Sequence, residues 1–355
     1  MNIKKEQLNE LFQNKKILVT GGTGSIGSEI VIKLLKYNPS VIRIFSNDEN
    51  ATFHMQSKLG EHKNLRYLLG DVRDKERLKI AMEGIDYVYH AAALKHVPLC
   101  EYNPFEALKT NILGTQNVID AALESSVKKV INISTDKAVN PTNTMGATKL
   151  LAEKLIRDAN FYRGHKETIF ASVRFGNVLY SRGSVIPTME EMIKNGKPVT
   201  ITNPSMTRFF MSIPETIELI FKATLLTKGG EIFILKMPII QIGDLFDVII
   251  EETSKELGID IGKIEKKIIG QRPGEKIYEE LLTDSEALHA LESEDMFIVL
   301  PDVDIPGLKD ETLEKYNSSK ITKRKSYSSA DSSPLAKEEI RKLLREAKNN
   351  NYIFY

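Results

Sequence analysis

The segment Thr20-Gly21-Gly22-Thr23-Gly24-Ser25-Ile26-Gly27 constrains this chain more than any other. It follows a short β-rich run at 16–20 and opens a helix-like one, so it reads as strand, tight turn and helix start. Glycines at 21, 24 and 27 allow the turn to close, bring backbone N–H groups close to an anion, and let the helix pack tightly on the sheet. The helix N-terminus then faces that anion. With Thr23, Ser25 and Ile26, Gly21, Gly24 and Gly27 form the predicted cradle for a dinucleotide pyrophosphate. An ordinary glycine-rich turn needs neither the strand before it nor the helix after it.

The pattern then repeats. Apolar β-rich runs at 41–45, 65–69, 87–91 and 129–133 alternate with helical periodicity at 28–35, 74–82 and 110–124. Continuous apolar runs of this kind suit a parallel sheet covered on both faces. The class is α/β, a Rossmann-type doubly wound parallel sheet with a smaller C-terminal substrate-binding domain. Residues 168–174 add a strand after the helix that carries Lys149. The expected division is an N-terminal helix over 1–14, an NAD(P)-binding domain over 15–175, and a mainly substrate-binding region over 176–355. That last region is rich in Pro, Ser and Gly turns and returns one strand, 231–235, to the main sheet; 337–347 reads as a final helix.

Composition narrows the classes. A chain of 355 residues that is 41 % hydrophobic can bury a major and a minor core. Lys+Arg 49 against Asp+Glu 48 leaves a net charge of +1, so no global field recruits nucleic acid or an anionic membrane. The lone Cys100 excludes a disulfide framework and fits a reducing, cytoplasmic compartment. The histidines show no ligand spacing, and no metal is expected. No apolar stretch approaches the roughly 20 residues a bilayer requires. Ile3, Leu8, Leu11 and Phe12 share one face of a short helix that is expected to pack on the body of the protein.

An NAD-selective site places Asp or Glu at the end of the second strand, where it binds the ribose 2′-hydroxyl. Here that place holds Phe45-Ser46-Asn47, with Asp48 and Glu49 displaced into the next helix start. Ser46 and Asn47 suit a 2′-phosphate without charge repulsion and Arg43 is nearby, so NADP is expected, with NAD as the alternative. Asp71 and Val72 after the third strand are placed to meet adenine. Ala91-Ala92-Ala93 after the fourth lets the backbone run close to the cofactor.

A second constellation lies at the end of the fifth run: Ser134-Thr135-Asp136-Lys137, then Met145 and Lys149. The spacing of Met145 and Lys149 is that of the Tyr-x-x-x-Lys pair of short-chain dehydrogenases, with methionine in place of tyrosine. A thioether neither takes nor gives a proton. Either the site has lost its chemistry, or acid and base work falls to Thr135, Asp136 and Lys137. An exposed ion pair is the usual fate of an Asp-Lys dipeptide. Against that stands its position at the carboxyl end of a central strand, where doubly wound folds bind ligands.

Several motifs occur together: the run from Ile133 through Asn143, Met145-Gly146-Ala147-Thr148-Lys149, and His90-Ala91-Ala92-Ala93-Leu94-Lys95-His96-Val97-Pro98. Arg174-Phe175-Gly176-Asn177-Val178, the run from Ser181 through Pro187, Met206-Thr207-Arg208-Phe209 and Arg272-Pro273-Gly274-Glu275-Lys276 follow in order. From near Lys16 to near Leu344 the chain resembles the UDP-N-acetylglucosamine 4,6-dehydratases of polysaccharide and glycan biosynthesis, which are extended short-chain dehydrogenases/reductases. Several members of that family carry methionine where others keep tyrosine.

The resemblance implies a redox-neutral cycle on a tightly bound, recycled nicotinamide cofactor. The sugar is oxidised at C4, loses water across C5–C6, and is reduced at C6 to a UDP-2-acetamido-2,6-dideoxy-4-hexulose, with C5 retained or inverted. Lys149 is implied to bond the nicotinamide ribose. Lys137, with its pKa lowered by desolvation and by Lys149, is the implied C5 base. Asp136, with its pKa raised, is the implied acid at the C6 oxygen, and Thr135 bonds the C4 oxygen. The acceptor of the C4 hydroxyl proton stays open between Lys149, Asp136 and a bound water.

Expected substrate contacts are Lys95 and Asn177 to sugar or diphosphate, Arg208 and Arg272 to phosphate charge, and Glu275 to ribose hydroxyls. Val178, Ser184 and Thr202 complete them. For each arginine the alternative is a structural salt bridge. A UDP-sugar is the expected small-molecule partner, and a homo-oligomer is expected because extended short-chain dehydrogenases commonly pair through helices. Two rivals remain. A nucleotide-sugar 4-epimerase or 4-reductase normally keeps the tyrosine and lacks Asp-Lys, and a catalytically inactive regulator has no need of Thr135, Asp136, Lys137 and Lys149 together.

Overall fold

The structure is a computed structural model that describes residues 4–302, 316 and 319–349. Six strands form its centre: β1 (Lys16–Thr20), β2 (Val41–Ser46), β3 (Leu65–Leu69), β4 (Tyr87–His90), β5 (Lys129–Ile133) and β6 (Ile169–Arg174). They lie parallel in the order β3-β2-β1-β4-β5-β6, with Ile17 opposite Ile42 on one side and Tyr87 on the other. The order reverses between β1 and β4, which opens the crevice where such folds bind ligands. Ile17, Leu18 and Val19 are fully buried, as a strand covered on both faces requires.

Among the described residues eight α-helices belong to this half. They are α1 (Lys5–Phe12), α2 (Ser25–Leu35), α3 (Glu49–Leu59), α4 (Lys75–Met82), α5 (Val97–Tyr102), α6 (Pro104–Leu108), α7 (Gly114–Glu124) and α8 (Thr144–Tyr162). A π-helical turn, Lys109–Leu113, joins α6 to α7 inside the segment predicted as one helix from 110. Phe12 anchors α1: its ring is buried against Tyr37 and Phe221 at centroid distances of 5.6 and 4.6 Å. Ile3 lies outside the described residues.

The second half of the chain extends the same sheet. Ile232–Leu235 pairs parallel with β6, and Met296–Val299, Ala290–Glu292 and Lys320–Ile321 add three antiparallel strands beyond it, ten in all among the described residues. Residues 176–302 also build a small sheet of their own. In it β7 (Asn177–Val178) pairs with Thr207–Met211, which pairs in turn with Ile239–Gln241. That sheet lies over a separate apolar cluster including Leu179, Phe210, Leu245 and Ile249. The C-terminal helix Lys337–Asn349 closes the cluster with Ile340 and Leu344, and Arg341 bonds Glu251 and Glu252. Among the described residues no helix is long and apolar enough to cross a membrane.

Candidate active site

The glycine turn is shaped by contacts that a side chain would block. Gly21 has φ +62°, and a Cβ there would sit 2.7 Å from the backbone nitrogen of Ala92; at Gly27 it would sit 2.2 Å from the Gly21 carbonyl oxygen. The turn therefore lies flat against the chain after β4. Gly24 caps α2 in extended conformation, so the first N–H groups of that helix are open to an anion. Gly21, Thr23, Gly24, Ser46, Asn47, Asp71, Val72 and Ala91-Ala92-Ala93 share one cleft. Ser25, Ile26 and Gly27 form the first turn of α2 beside it, and Ser25 Oγ accepts the Arg182 backbone N–H at 3.0 Å. A cradle that tolerates no Cβ and is fronted by a helix N-terminus fits a dinucleotide pyrophosphate.

Polar groups at the end of β2 are joined to their surroundings. Thr23 Oγ1 is 2.7 Å from Ser46 Oγ, and Asn47 Nδ2 donates to Asp71 Oδ2 at 3.3 Å. Burial pushes the Asp71 carboxyl up, but its bonds from Arg73, at 3.0 and 2.7 Å, outweigh this and hold it below the usual carboxylate range. Arg43 corrects an expectation. It sits in mid-strand and donates to the carbonyls of Ala81 and Glu83, at 2.8 Å each, so it does not reach the cofactor cleft.

Behind the cleft, His90 Nδ1 is 2.8 Å from Thr20 Oγ1 and its Nε2 is 3.0 Å from Thr115 Oγ1. Thr115 spends its hydroxyl proton on the Asn111 carbonyl, so Nε2 carries the histidine proton and Nδ1 accepts from Thr20. Burial, with Lys149 nearby, pushes His90 down to about 3 and keeps the ring neutral. Asn111, in the π-helical turn, ties this chain to Leu94 and to Thr148 of α8.

The catalytic candidates sit on a 3-10 turn, Asp136–Ala138, directly after β5. Asp136 N–H donates to the Phe175 carbonyl, and α8 presses so closely that a Cβ on Gly146 would lie 2.2 Å from the Lys137 carbonyl oxygen. Asp136 is fully buried. Its Oδ1 accepts from Thr135 Oγ1 at 2.8 Å and from Lys137 Nζ at 2.9 Å, while its Oδ2 has no partner. Lys137 Nζ also lies 3.5 Å from Asn177 Oδ1 and 3.9 Å from Glu279 Oε1.

Lys137 corrects a second expectation. Burial does push its pKa down, but the negative charges of Asp136 and Glu279 push harder, and the ammonium is held above its ordinary range. Lys149 behaves as a desolvated lysine: burial takes it down to about 8, against a smaller pull from Glu153, and Nζ donates to the Ile133 carbonyl at 2.6 Å. Met145 is buried with Cys100 and Ala107. Its side chain is a packing element under α5 and α6.

The expected substrate residues divide. Lys95 donates to the Arg182 carbonyl at 2.6 Å, and burial beside the Arg182 charge pushes its pKa down. Asn177 faces Lys137. Arg272 is exposed on a turn where its N–H donates to Glu275 Oε2 at 3.1 Å, and the Gly274 carbonyl pins that turn to Thr142 and Asn143. Ser184 stands at the start of the helix Val185–Lys194 with its Oγ buried and unpartnered.

Three others are already occupied. Arg208 is buried and gives its guanidinium to the carbonyls of Thr207, Lys276 and Ile277, with Nε 3.8 Å from Glu279, so it presents no free fork to a phosphate. Val178 is buried in β7, and Thr202 donates to Met206 Sδ at 3.5 Å. The sequence reading gave no role to Arg182, which lines the cofactor cleft from within the Ser181-to-Pro187 motif, or to Glu279. The one signal for Glu279 was its place just after the Arg272-to-Lys276 motif.

A doubly wound sheet carrying a glycine cradle after β1 and an Asp-Lys turn and buried lysine after β5 defines an α/β protein of the extended short-chain dehydrogenase/reductase class. More narrowly, the chain belongs to the polysaccharide biosynthesis protein family, which matches residues 17–301. It is 54 % identical over 341 residues to an uncharacterized membrane protein of Methanocaldococcus jannaschii, covering 96 % of this chain and 98 % of that one. It is 44 % identical over 295 residues to a UDP-N-acetylglucosamine 4,6-dehydratase (inverting) of Campylobacter jejuni, covering 82 % and 85 %. A UDP-glucose 4-epimerase of Rickettsia rickettsii is 41 % identical over 342 residues, covering 94 % and 96 %. The X-ray structure of Pen from Bacillus thuringiensis superposes with a TM-score of 0.87 at 46 % identity, over 95 % of this chain and 98 % of that one. Relatives thus include both nucleotide-sugar dehydratases and epimerases.

Proposed function

We propose that this protein is a nucleotide-sugar 4,6-dehydratase that converts UDP-N-acetylglucosamine to a UDP-2-acetamido-2,6-dideoxy-4-hexulose. One observation carries the reading: Asp136 and Lys137 form a hydrogen-bonded acid–base pair on the turn after β5, beside Thr135. Epimerisation at C4 needs oxidation and re-reduction alone. Elimination of water also needs a proton taken from C5 and a proton given to the C6 oxygen, and this pair supports those two transfers. The name of the Campylobacter jejuni relative supports inversion at C5.

When bound, a nicotinamide dinucleotide supplies the electron-pair acceptor for C4 oxidation and the donor for C6 reduction. The glycine cradle and the α2 N-terminus would hold its pyrophosphate, and Ser46, Asn47 and Asp71 would meet its adenosine end. With Arg43 turned away from the cleft and Asp48 and Asp71 at its adenosine end, we read the cofactor as NAD in place of the NADP expected from sequence. Lys149, held at about 8, takes the C4 hydroxyl proton in place of the absent tyrosine. Thr135 orients the C4 oxygen. Lys95, Asn177, Arg272 and Glu275 are the proposed contacts to the UDP-sugar.

We also propose self-association through the apolar face of α5, α6 and the π-helical turn, where Leu99, Tyr102, Phe105 and Leu113 are exposed. The decisive experiment incubates cofactor-loaded protein with UDP-N-acetylglucosamine and reads the product by mass and proton NMR. A product lighter by one water supports the dehydratase. An isomer of unchanged mass would make the protein an epimerase, and no change would leave a binding protein without catalysis.

A further inference from the structure

Four charged side chains from three parts of the chain meet beside the turn after β5. Asp136 and Lys137 come from the turn after β5, Arg208 from the strand Thr207–Met211, and Glu279 from the segment entering the strand Glu280–Leu282. Lys137 is the most exposed of the three nearest to one another, with 24 % of its side chain open to solvent against 0 % for Asp136 and 5 % for Glu279. Glu279 is fixed from its backbone: its N–H donates to Ser329 Oγ and its carbonyl accepts from the Ser329 N–H at 2.8 Å. Its Oε1 lies 3.9 Å from Lys137 Nζ and 3.8 Å from Arg208 Nε, and its Oε2 is buried without any partner. A buried carboxylate oxygen that nothing satisfies is costly unless it carries a proton or meets one during function.

A chemical need stands beside this vacancy. For Lys137 to accept the C5 proton it must first lose its own, yet the free protein stabilises its ammonium. Asp136 cannot serve as the store, because in the dehydratase reading it must itself hold the proton that goes to the C6 oxygen. We infer that Glu279 is the proton store for Lys137, a positioning residue that takes the proton of the Lys137 ammonium and so frees its amine to act at C5. This rests on the dehydratase reading given above.

The transfer moves one proton from Lys137 Nζ to Glu279, leaving a neutral amine and a neutral carboxylic acid. The amine then takes the C5 proton and becomes an ammonium again, while the C5–H electron pair moves into the C4–C5 bond and leaves negative charge on the C4 oxygen. Nζ has to move by about 1 Å to reach hydrogen-bond distance of Glu279. Burial above all, and then the Asp136 charge, hold the Glu279 carboxyl above its ordinary range, which suits a group that keeps a proton. Lys137 and Arg208 pull the other way, as does Lys276, whose ammonium is tied to the Val139 carbonyl at 2.8 Å.

The test follows cofactor-loaded wild type, Glu279→Gln and Glu279→Asp through a single turnover of UDP-N-acetylglucosamine in D2O. Reduced-cofactor absorbance reports C4 oxidation, and proton NMR reports deuterium entering C5. Glu279→Gln is expected to oxidise C4 within about threefold of wild type but to exchange C5 at least about tenfold more slowly, so that reduced cofactor accumulates. Glu279→Asp, which keeps a carboxyl, is expected to recover part of the exchange. Equal slowing of both steps would make Glu279 only a counterion for Arg208 and overturn the inference, as would an unchanged C5 rate. Should the glutamine variant fail to fold, the aspartate variant decides by the same ratio of the two rates. Failure of the dehydratase reading shows separately, as absence of C5 exchange in the wild type.

Discussion

Glu153 stands one helical turn after Lys149 on α8, yet it gives both carboxylate oxygens to Arg174, at 3.0 and 2.6 Å. Residues four apart on a helix ordinarily face each other, and a lysine–glutamate pair there would hold the ammonium. Arg174 draws the carboxylate away and is itself shared with Glu286 at 2.8 Å. Burial can therefore take Lys149 down to about 8. The arginine of β6 thus keeps a lysine of α8 near neutrality without touching the cleft.

If Lys149 accepts the C4 proton, its neutral fraction sets the rate of C4 oxidation. That fraction grows about tenfold per pH unit below the pKa, so oxidation is expected to rise up to about pH 8 and then level off. Stopped-flow absorbance of the reduced cofactor checks this, and Lys149→Met should remove the limb. The stability linkage has a definite sign. A lysine that falls from 10.5 to about 8 on folding binds fewer protons in the folded state across that window. Its contribution therefore favours folding increasingly as pH rises from about 8 to 10.5.

Arg174→Met leaves Glu153 and Glu286 without the cation between them. Removing one partner of a buried ion pair costs about 3–5 kcal/mol, and the lost stability should appear as an earlier urea midpoint. A midpoint within error of wild type would mean that the two carboxylates find other donors or protonate.

Gly146→Ala tests the contact that fixes the acid–base turn. The added Cβ would stand 2.2 Å from the Lys137 carbonyl oxygen and 3.1 Å from its carbonyl carbon, both backbone atoms with little freedom to yield. The turn should shift away from α8, and a displacement of 1 Å in a catalytic group can cost about a hundredfold in rate. We expect C5 exchange to fall by that order while nucleotide binding at the β1–α2 turn persists, measured by cofactor titration.

The central sheet was legible because its inner strands, β1 and β4 foremost, are nearly continuous apolar runs buried on both faces, and because the glycine turn fixes where the first crossover starts. Two of the three strands added beyond Ile232–Leu235 carry no signal of their own. Ala290–Glu292 and Lys320–Ile321 are two or three residues long, and a partner strand defines them rather than any periodicity of their own. Local chemistry carried the site as far as Thr135, Asp136, Lys137 and Lys149, which are close in sequence. The sign of the Lys137 shift was missed because part of it comes from Glu279, a residue that only the fold brings near. Arg43 was misplaced for a related reason: nearness in sequence to the end of β2 says nothing about which neighbours a mid-strand side chain meets.

The face formed by α5, α6 and the π-helical turn should mediate self-association. Tyr102 is 87 % exposed and Phe105 66 %, beside Leu99 at 62 %, an apolar patch that water leaves unsatisfied. Light scattering of the wild type is expected to give more than one chain per particle, and Tyr102→Glu with Phe105→Glu is expected to give a monomer. A wild-type monomer at assay concentration would assign the patch to another partner.

Met145→Tyr separates a vacant catalytic position from a packing position. The thioether is 4 % exposed and packs against Cys100 and Ala107, with Val97 alongside. A larger, polar ring there overfills the space, at a cost of about 1–3 kcal/mol, and its hydroxyl needs a partner. We expect a lower urea midpoint and no gain in the C4 oxidation rate, because Lys149 already supplies the acceptor. A tyrosine variant that oxidises C4 faster, with its pH limb displaced from about 8, would instead mean that the methionine occupies the position of a lost base.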